Sequence, residues 1–137
     1  MSSFVLDSCA LIALLNMEEG EDLVSDLMSS AAVGLCSLII NQVNLLEVYY
    51  DTLRRYGKDT AKQVLTRVTD CRVKIVHTLT DEVFEEAGRL KASYKISLAD
   101  AIALAEARTQ NASLVTCDHH EFDALEQAEH MSFLWIR

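Results

Sequence analysis

Short runs of consecutive apolar residues alternate along this chain with stretches whose apolar positions recur every three or four residues. Phe4-Val5-Leu6 is the first such run and reads as a short buried strand ending at Asp7. Ser8 to about Asn16 then reads as a helix, with Asp7 or Ser8 as its cap. Leu23, Val24, Leu27 and Met28 mark a second helix after Gly20. Val33 to Ser37 reads as a second strand. From Leu38 to Tyr56 the positions Ile39, Val43, Leu46, Tyr50 and Leu53 recur at spacings of four and three, one helical stripe that Gly57 stops. Ala61, Val64, Leu65 and Val68 predict another helix, and Val73–His77 a third strand. Thr80 caps a helix bearing Val83, Phe84, Ala87 and Leu90, and Ser97 caps an alanine-rich helix that runs to about Thr109. Ser113–Thr116 and Ser132–Ile136 complete the set as strands. Such alternation predicts an α/β layer fold with a mostly parallel sheet, whose functional crevice lies beyond the carboxyl ends of the strands.

Four acidic residues break apolar stretches in this pattern: Asp7, Glu47, Asp100 and Asp118. A buried carboxylate needs a partner, because an uncompensated charge in an apolar setting is costly. No Lys or Arg lies near enough in sequence to be an obvious one, whereas a hard divalent cation would serve all four. Each acid also has a structural reading. Asp7 and Asp118 suit helix caps or turns. Asp100 fits a capping box in Ser97-Leu98-Ala99-Asp100, and Glu47 beside the apolar stripe could pair with an Arg from another element. His119 and His120 are adjacent, so their side chains diverge and they read as surface neighbours of the site. Singly the four acids are weak signals. Jointly they favour a metal.

Composition narrows the class. The 137 residues are half hydrophobic, without proline and with only four glycines, and nothing resembles a linker or repeat, so residues 1–137 read as one domain. The apolar stretch Phe4–Leu15 is too short to span a bilayer, contains Asp7 and lacks a basic leader, which predicts a soluble cytoplasmic protein. Cys9, Cys36, Cys71 and Cys117 form no Cys-x-x-Cys pair, and the expectation is four buried thiols in a reducing compartment. Asn111-Ala112-Ser113 matches a glycosylation sequon that the absence of an export signal leaves idle. The net charge of −9 argues against a nucleic-acid partner until its distribution is seen. Residues 1–50 hold no Lys or Arg, while residues 51–75 hold seven basic residues against three acidic ones. That segment is either a phosphate-holding stretch or a solvated helical face.

The four acids, in this order and setting, resemble the PIN-domain ribonucleases, and particularly the VapC-type toxins of toxin–antitoxin pairs. The likeness runs through Val5-Leu6-Asp7-Ser8 with Ala10-Leu11-Ile12, Glu47 in the long middle helix, Ile96-Ser97-Leu98-Ala99-Asp100-Ala101, and Val115-Thr116-Cys117-Asp118 with Phe122. It implies a three-layer fold, a parallel sheet of about five strands flanked by helices, with Asp7, Glu47, Asp100 and Asp118 binding Mg²⁺ or Mn²⁺. Thr116 matches the family's polar residue near the last acid. Many relatives carry Ser or Asn two residues after the first Asp. Here that position is Cys9, with Ser8 as the available substitute. The resemblance further implies an RNA substrate, a homodimer and a small antitoxin.

The function expected is therefore metal-dependent endoribonuclease, with a non-catalytic binding scaffold as the alternative. A phosphotransfer protein of the haloacid-dehalogenase or receiver type also begins with a strand-end Asp. The first wants a second Asp where Cys9 stands, and the second wants acids before Asp7, where there are none.

Overall fold

A computed structural model describes the whole chain, residues 1–137. Five strands, β1 (Ser3–Leu6), β2 (Ser37–Asn41), β3 (Lys74–Val76), β4 (Ser113–Thr116) and β5 (Phe133–Trp135), form one sheet in the order β3-β2-β1-β4-β5, and every pair is parallel. Helices α1 (Ser8–Leu15), α2 (Glu21–Ala32), α3 (Gln42–Tyr56) and α4 (Lys58–Asp70) precede β3. Helices α5 (Asp81–Ser93), α6 (Leu98–Thr109) and α7 (His119–Ala128) follow it. No helix is long and apolar enough to cross a membrane.

The sheet divides the core in two. Leu6, Leu38, Ile40 and Val115 point to a cluster with Ala10, Val24, Val48 and Val64, from α1 to α4. Their neighbours Val5, Ile39 and Leu114 point the other way, to a cluster with Val83, Leu90, Leu104 and Phe122, from α5 to α7. Successive strand residues alternate faces, so a central strand covered on both sides must be apolar throughout. The expected three-layer α/β architecture is present. The chain winds outward from β1 to β2 and β3, then returns to lay β4 against the other side of β1. Right-handed crossovers in opposite directions put the two helix sets on opposite faces. They also open a crevice where the direction reverses, between the carboxyl ends of β1 and β4.

Two elements differ from the sequence reading. The second strand is Ser37–Asn41, not Val33–Ser37, and Leu38-Ile39-Ile40 belongs to it and not to the helix that follows. A doubly covered strand reads as a continuous apolar run, which periodicity cannot separate from a helix start. Val33 and Leu35, which suggested the strand, are about 70 % exposed in the turn around Gly34. Helix α7 was not predicted as such, since His119-His120-Glu121 hides its apolar positions Phe122 and Leu125. The apolar stripe of α3 also faces outward: Val43, Leu46, Tyr50 and Leu53 are exposed, and Asn44, Leu45, Val48 and Thr52 are buried.

Gly20 joins α1 to α2 with φ +97°, and a Cβ there would lie 2.6 Å from the Ile136 carbonyl oxygen. Gly34, at φ +80°, faces open space. Gly34→Ala should therefore cost only the left-handed strain, about 1 kcal/mol. Gly20→Ala adds a backbone clash and should cost about 3 kcal/mol, a difference that urea unfolding of the two variants will resolve.

Candidate active site

Of the four acids that the sequence singles out, Asp100 and Asp118 fall in one close group at the crevice between β1 and β4. Asp7 and Glu47 lie outside that close group, near enough for their charges to be felt. Asp7 follows the last residue of β1 and is 2 % exposed. Its backbone N–H donates to the Val115 carbonyl at 3.3 Å, which continues the β1–β4 pairing, and its Oδ1 accepts from the Ala10 N–H at 2.9 Å as the cap of α1. Thr116, fully buried at the end of β4, serves two acids through one hydroxyl. It accepts from the Asp118 N–H at 3.1 Å and, as a polar neighbour, lowers the Asp7 pKa. Asp118 in turn caps α7, accepting from the Glu121 N–H at 3.2 Å. The structural reading of both Asp residues as caps is correct. It does not exhaust them, because each cap bond occupies one carboxylate oxygen.

Asp100 enters from α6. Ser97 caps that helix by accepting from the Asp100 N–H at 3.1 Å, and the Asp100 carboxylate is hydrogen bonded by the Ser97 side chain. Glu47 enters from α3, half-buried, and its Oε1 is buried with no hydrogen-bond partner. Ser8, the first residue of α1, is half-buried beside Asp7.

A fifth acid completes the group. Glu121 lies at the third position of α7, and one carboxylate oxygen each from Asp100, Asp118 and Glu121 fall within 4.8 Å of one another. The sequence carried a signal for it. Asp118-His119-His120-Glu121 has capping-box spacing, which brings the fourth residue back over the first. His119 itself stacks on Trp135 at 3.9 Å, with its ring nitrogens on Asp123 and the Arg137 carbonyl at 2.7 Å each, so it stays outside the cluster.

The electrostatics follow from the gathering. Asp7 is pushed up to about 7, first by burial and then by the charges of Asp100 and Asp118, against the lowering effect of the Thr116 hydroxyl and the hydrogen bond from Ala10. Asp100 is pushed up to about 6, again by burial first, then by Asp118, Glu121 and Glu47. No Lys, Arg or His makes an ion pair with any of the five. The Arg partner considered for Glu47 is therefore absent. Arg54 and Arg55 close instead on Asp51, which leaves five exposed cations of the 51–75 segment outside any ion pair. Hard oxygen donors, an orphaned Glu47 oxygen and carboxylates otherwise left to repel one another fit a divalent cation.

Two buried side chains set the separation of α3 and α6. Asn44, fully buried one turn before Glu47, donates from Nδ2 to the Ala99 carbonyl at 3.1 Å, directly before Asp100. Asn41 caps α3 through Oδ1 and donates from Nδ2 to Glu106 Oε2 at 3.1 Å. Glu106 is 1 % exposed and accepts a second amide bond from Gln110 at 3.0 Å. Neither Asn44 nor Glu106 was singled out from the sequence, where each reads as one polar residue in a helix.

The cysteine expectation needs correction. Cys9, in the first turn of α1, and Cys117, between Thr116 and Asp118, are joined as a disulfide with Cα atoms 6.2 Å apart, while Cys36 and Cys71 are free. The partners are 108 residues apart in sequence. Only the β1–β4 pairing brings them together, so spacing carried no hint of the bridge.

The metal-free cluster makes stability depend on pH. A raised folded pKa contributes stability that is complete below the unfolded value of 3.8 and is lost as pH climbs through about 7 for Asp7 and about 6 for Asp100. Asp7→Asn keeps the helix cap and removes the buried charge. With metal absent, the variant should melt roughly 5 °C above wild type near pH 8, and the gain should vanish near pH 4. A pH-independent difference in calorimetry would contradict this origin.

Comparison with known proteins follows the same outline. The family model for the PIN domain matches residues 4–127. Among curated proteins, none matches the chain. The fold is similar to a DNA-bound VapBC from Salmonella typhimurium, with TM-score 0.73 and 16 % identity over 100 % of both chains. It is similar to a toxin–antitoxin complex from Klebsiella pneumoniae, with TM-score 0.71 and 18 % identity over 97 % of each chain. It also resembles VapC20 of Mycobacterium tuberculosis, described as a sarcin–ricin-loop-cleaving toxin. There the TM-score is 0.67 and the identity 18 %, over 93 % of this chain and 95 % of that one.

Proposed function

Since this chain belongs to the PIN domain family, we propose that it is a metal-dependent endoribonuclease, the toxin of a toxin–antitoxin pair. The observation that carries the reading is the convergence of the acids on one crevice with no protein cation to balance them. Asp7, Asp100, Asp118 and Glu47 would hold Mg²⁺ or Mn²⁺, with Glu121 as a further oxygen donor. A bound divalent ion supplies a water of lowered pKa and neutralises charge building on the phosphodiester.

The chain's own residues do the rest. Without a bound ion Asp7, raised to about 7, would keep its proton part of the time near neutral pH. Asp100, raised to about 6, would do so only in mildly acid solution, and loading would release what protons remain. Thr116 lowers the Asp7 pKa while it holds the Asp118 backbone, so one hydroxyl acts on two ligands. The free Oε1 of Glu47 can accept a proton from the attacking water and align it. Attack by water at phosphorus needs no side-chain nucleophile and leaves a 5′-phosphate and a 3′-hydroxyl. The exposed cations Lys58, Lys62, Arg67, Arg72 and Lys74 offer contacts to RNA phosphates.

The partners have candidate surfaces. Leu46 at 58 % and Tyr50 at 49 % exposure lie on the outward stripe of α3, which we assign to a homodimer. An apolar cleft of about 490 Å³, lined by Leu11, Leu14, Leu15, Met28, Val64 and Val68, is assigned to a small antitoxin, as the toxin–antitoxin complexes of similar fold suggest.

Cleavage of a panel of structured and single-stranded RNAs in Mg²⁺ and Mn²⁺ tests the activity. EDTA should abolish it, and Asp7→Asn, Asp100→Asn and Asp118→Asn, each folded by circular dichroism, should lower it at least about 100-fold. Mn²⁺ at a hundredfold excess over its Kd should stabilise wild type by about 2.7 kcal/mol. Folded protein that neither binds Mn²⁺ nor cleaves would defeat the nuclease reading in favour of a binding scaffold. Asn44→Ala frees the α6 carbonyl beside Asp100 and should lower Mn²⁺ affinity roughly tenfold, read by titration calorimetry without RNA.

A further inference from the structure

The disulfide joins two segments that each carry an acid of the crevice, with Cys117 packed against the apolar core beneath. Cys9 follows Asp7 by two residues on α1, and Cys117 immediately precedes Asp118 at the entry to α7. We propose that the Cys9–Cys117 pair is a reversible thiol–disulfide site that sets the cation affinity of the acidic cluster, opened by a dithiol and closed by a peroxide. This rests on the reading of that cluster as a divalent-cation site.

The fold does not need the bridge to bring the two strands together. β1 and β4 are already paired, with Leu6 opposite Val115, and the Asp7 N–H bonds the Val115 carbonyl. What the bridge adds lies one step further along, at the turn from Thr116 into α7. Without it, the backbone of that turn is tied by the Asp118 N–H to the Thr116 hydroxyl and the His119 N–H to the Cys117 carbonyl. Asp118 on this turn repels the carboxylates of Asp7 and Asp100, and Glu121 in the first turn of α7 repels that of Asp100. A covalent tie from Cys117 to α1 opposes that repulsion. Opening it lets the Cys117–Asp118 step move away from α1 and shifts the Asp118 donor, while buried Phe122 and the His119 stack on Trp135 still hold the first turn of α7.

Access also fits. Cys9 and Cys117 are both half-buried and so within reach of small reagents, whereas a fully buried bridge would be shielded. Reduction is ordinary exchange. A dithiol attacks one sulfur and forms a mixed disulfide. Its second thiol then displaces the remaining cysteine, so two electrons and two protons pass to the protein and the dithiol leaves as a cyclic disulfide. Closure runs through one cysteine attacking a peroxide, which releases one molecule of water and gives a sulfenic acid. The second thiol condenses with it and releases another.

The test uses the full chain carrying Cys36→Ser and Cys71→Ser, which leaves one cysteine pair. Oxidised and dithiol-reduced samples, freed of reagent and verified by iodoacetamide mass shift, are titrated with Mn²⁺ by calorimetry. Reduction should weaken Kd roughly tenfold, and treatment with hydrogen peroxide should restore it. Adding Cys9→Ser and Cys117→Ser should fix the weaker value whatever the redox state. Equal affinities in both states would overturn the redox control and leave the nuclease reading standing. A pair that never oxidises would do the same. No Mn²⁺ binding in either state would overturn both.

Discussion

Carboxylates held close together repel, and this fold brings carboxylate oxygens of Asp100, Asp118 and Glu121 within 4.8 Å of one another. Asp7 and Glu47 are charged neighbours, and none of these acids has an ion-pairing cation. Every nearby feature is a response to that constraint. Burial and mutual charge raise Asp7 to about 7 and Asp100 to about 6. Helix-cap N–H groups offset part of the cost by donating to Asp7 and Asp118, and the Thr116 hydroxyl nearby lowers the Asp7 pKa. What remains is an unsatisfied oxygen on Glu47 and an electrostatic demand that a divalent cation answers.

The architecture supplies the place. The sheet changes winding direction between β1 and β4, so two chain segments diverge there and leave room above their carboxyl ends. Asp7 reaches the crevice as the first residue past β1 and Asp118 as the second past β4. Glu47 and Asp100 come from helices, and two amide clamps bear on their separation, one from α3 and one from the last residue of β2. Asn44 grips the carbonyl before Asp100, and Asn41 grips the buried Glu106 five residues past Ala101 on the same helix. Buried polar groups in such pairs fix position closely, since misplacing either partner leaves an unsatisfied donor or acceptor.

Much of this was legible in the chain. Ser113–Thr116 reads as a strand and is one, and Ser97 and Thr80 announce their helices by capping chemistry. The four acids stood out because charged residues inside apolar runs are costly without a purpose. Legibility failed where two signals share one appearance. Leu38-Ile39-Ile40 serves equally as a buried strand or a helix start, and its strand identity comes from lying between β1 and β3. The α3 stripe is periodic, yet it faces outward, because the core side of that helix is held partly by polar Asn44 and Thr52.

The sequence by itself determined most of the order of strands and helices and several caps, and it singled out four acids as candidates. These are local properties, set by neighbours within a turn or a strand. The tertiary structure alone decided that Glu121 joins the cluster, that Asn44 meets Ala99, and that Cys9 meets Cys117 across 108 residues. Such contacts depend on which strands pair and where helices cross. That is a property of the packed chain, on which residue spacing places no constraint.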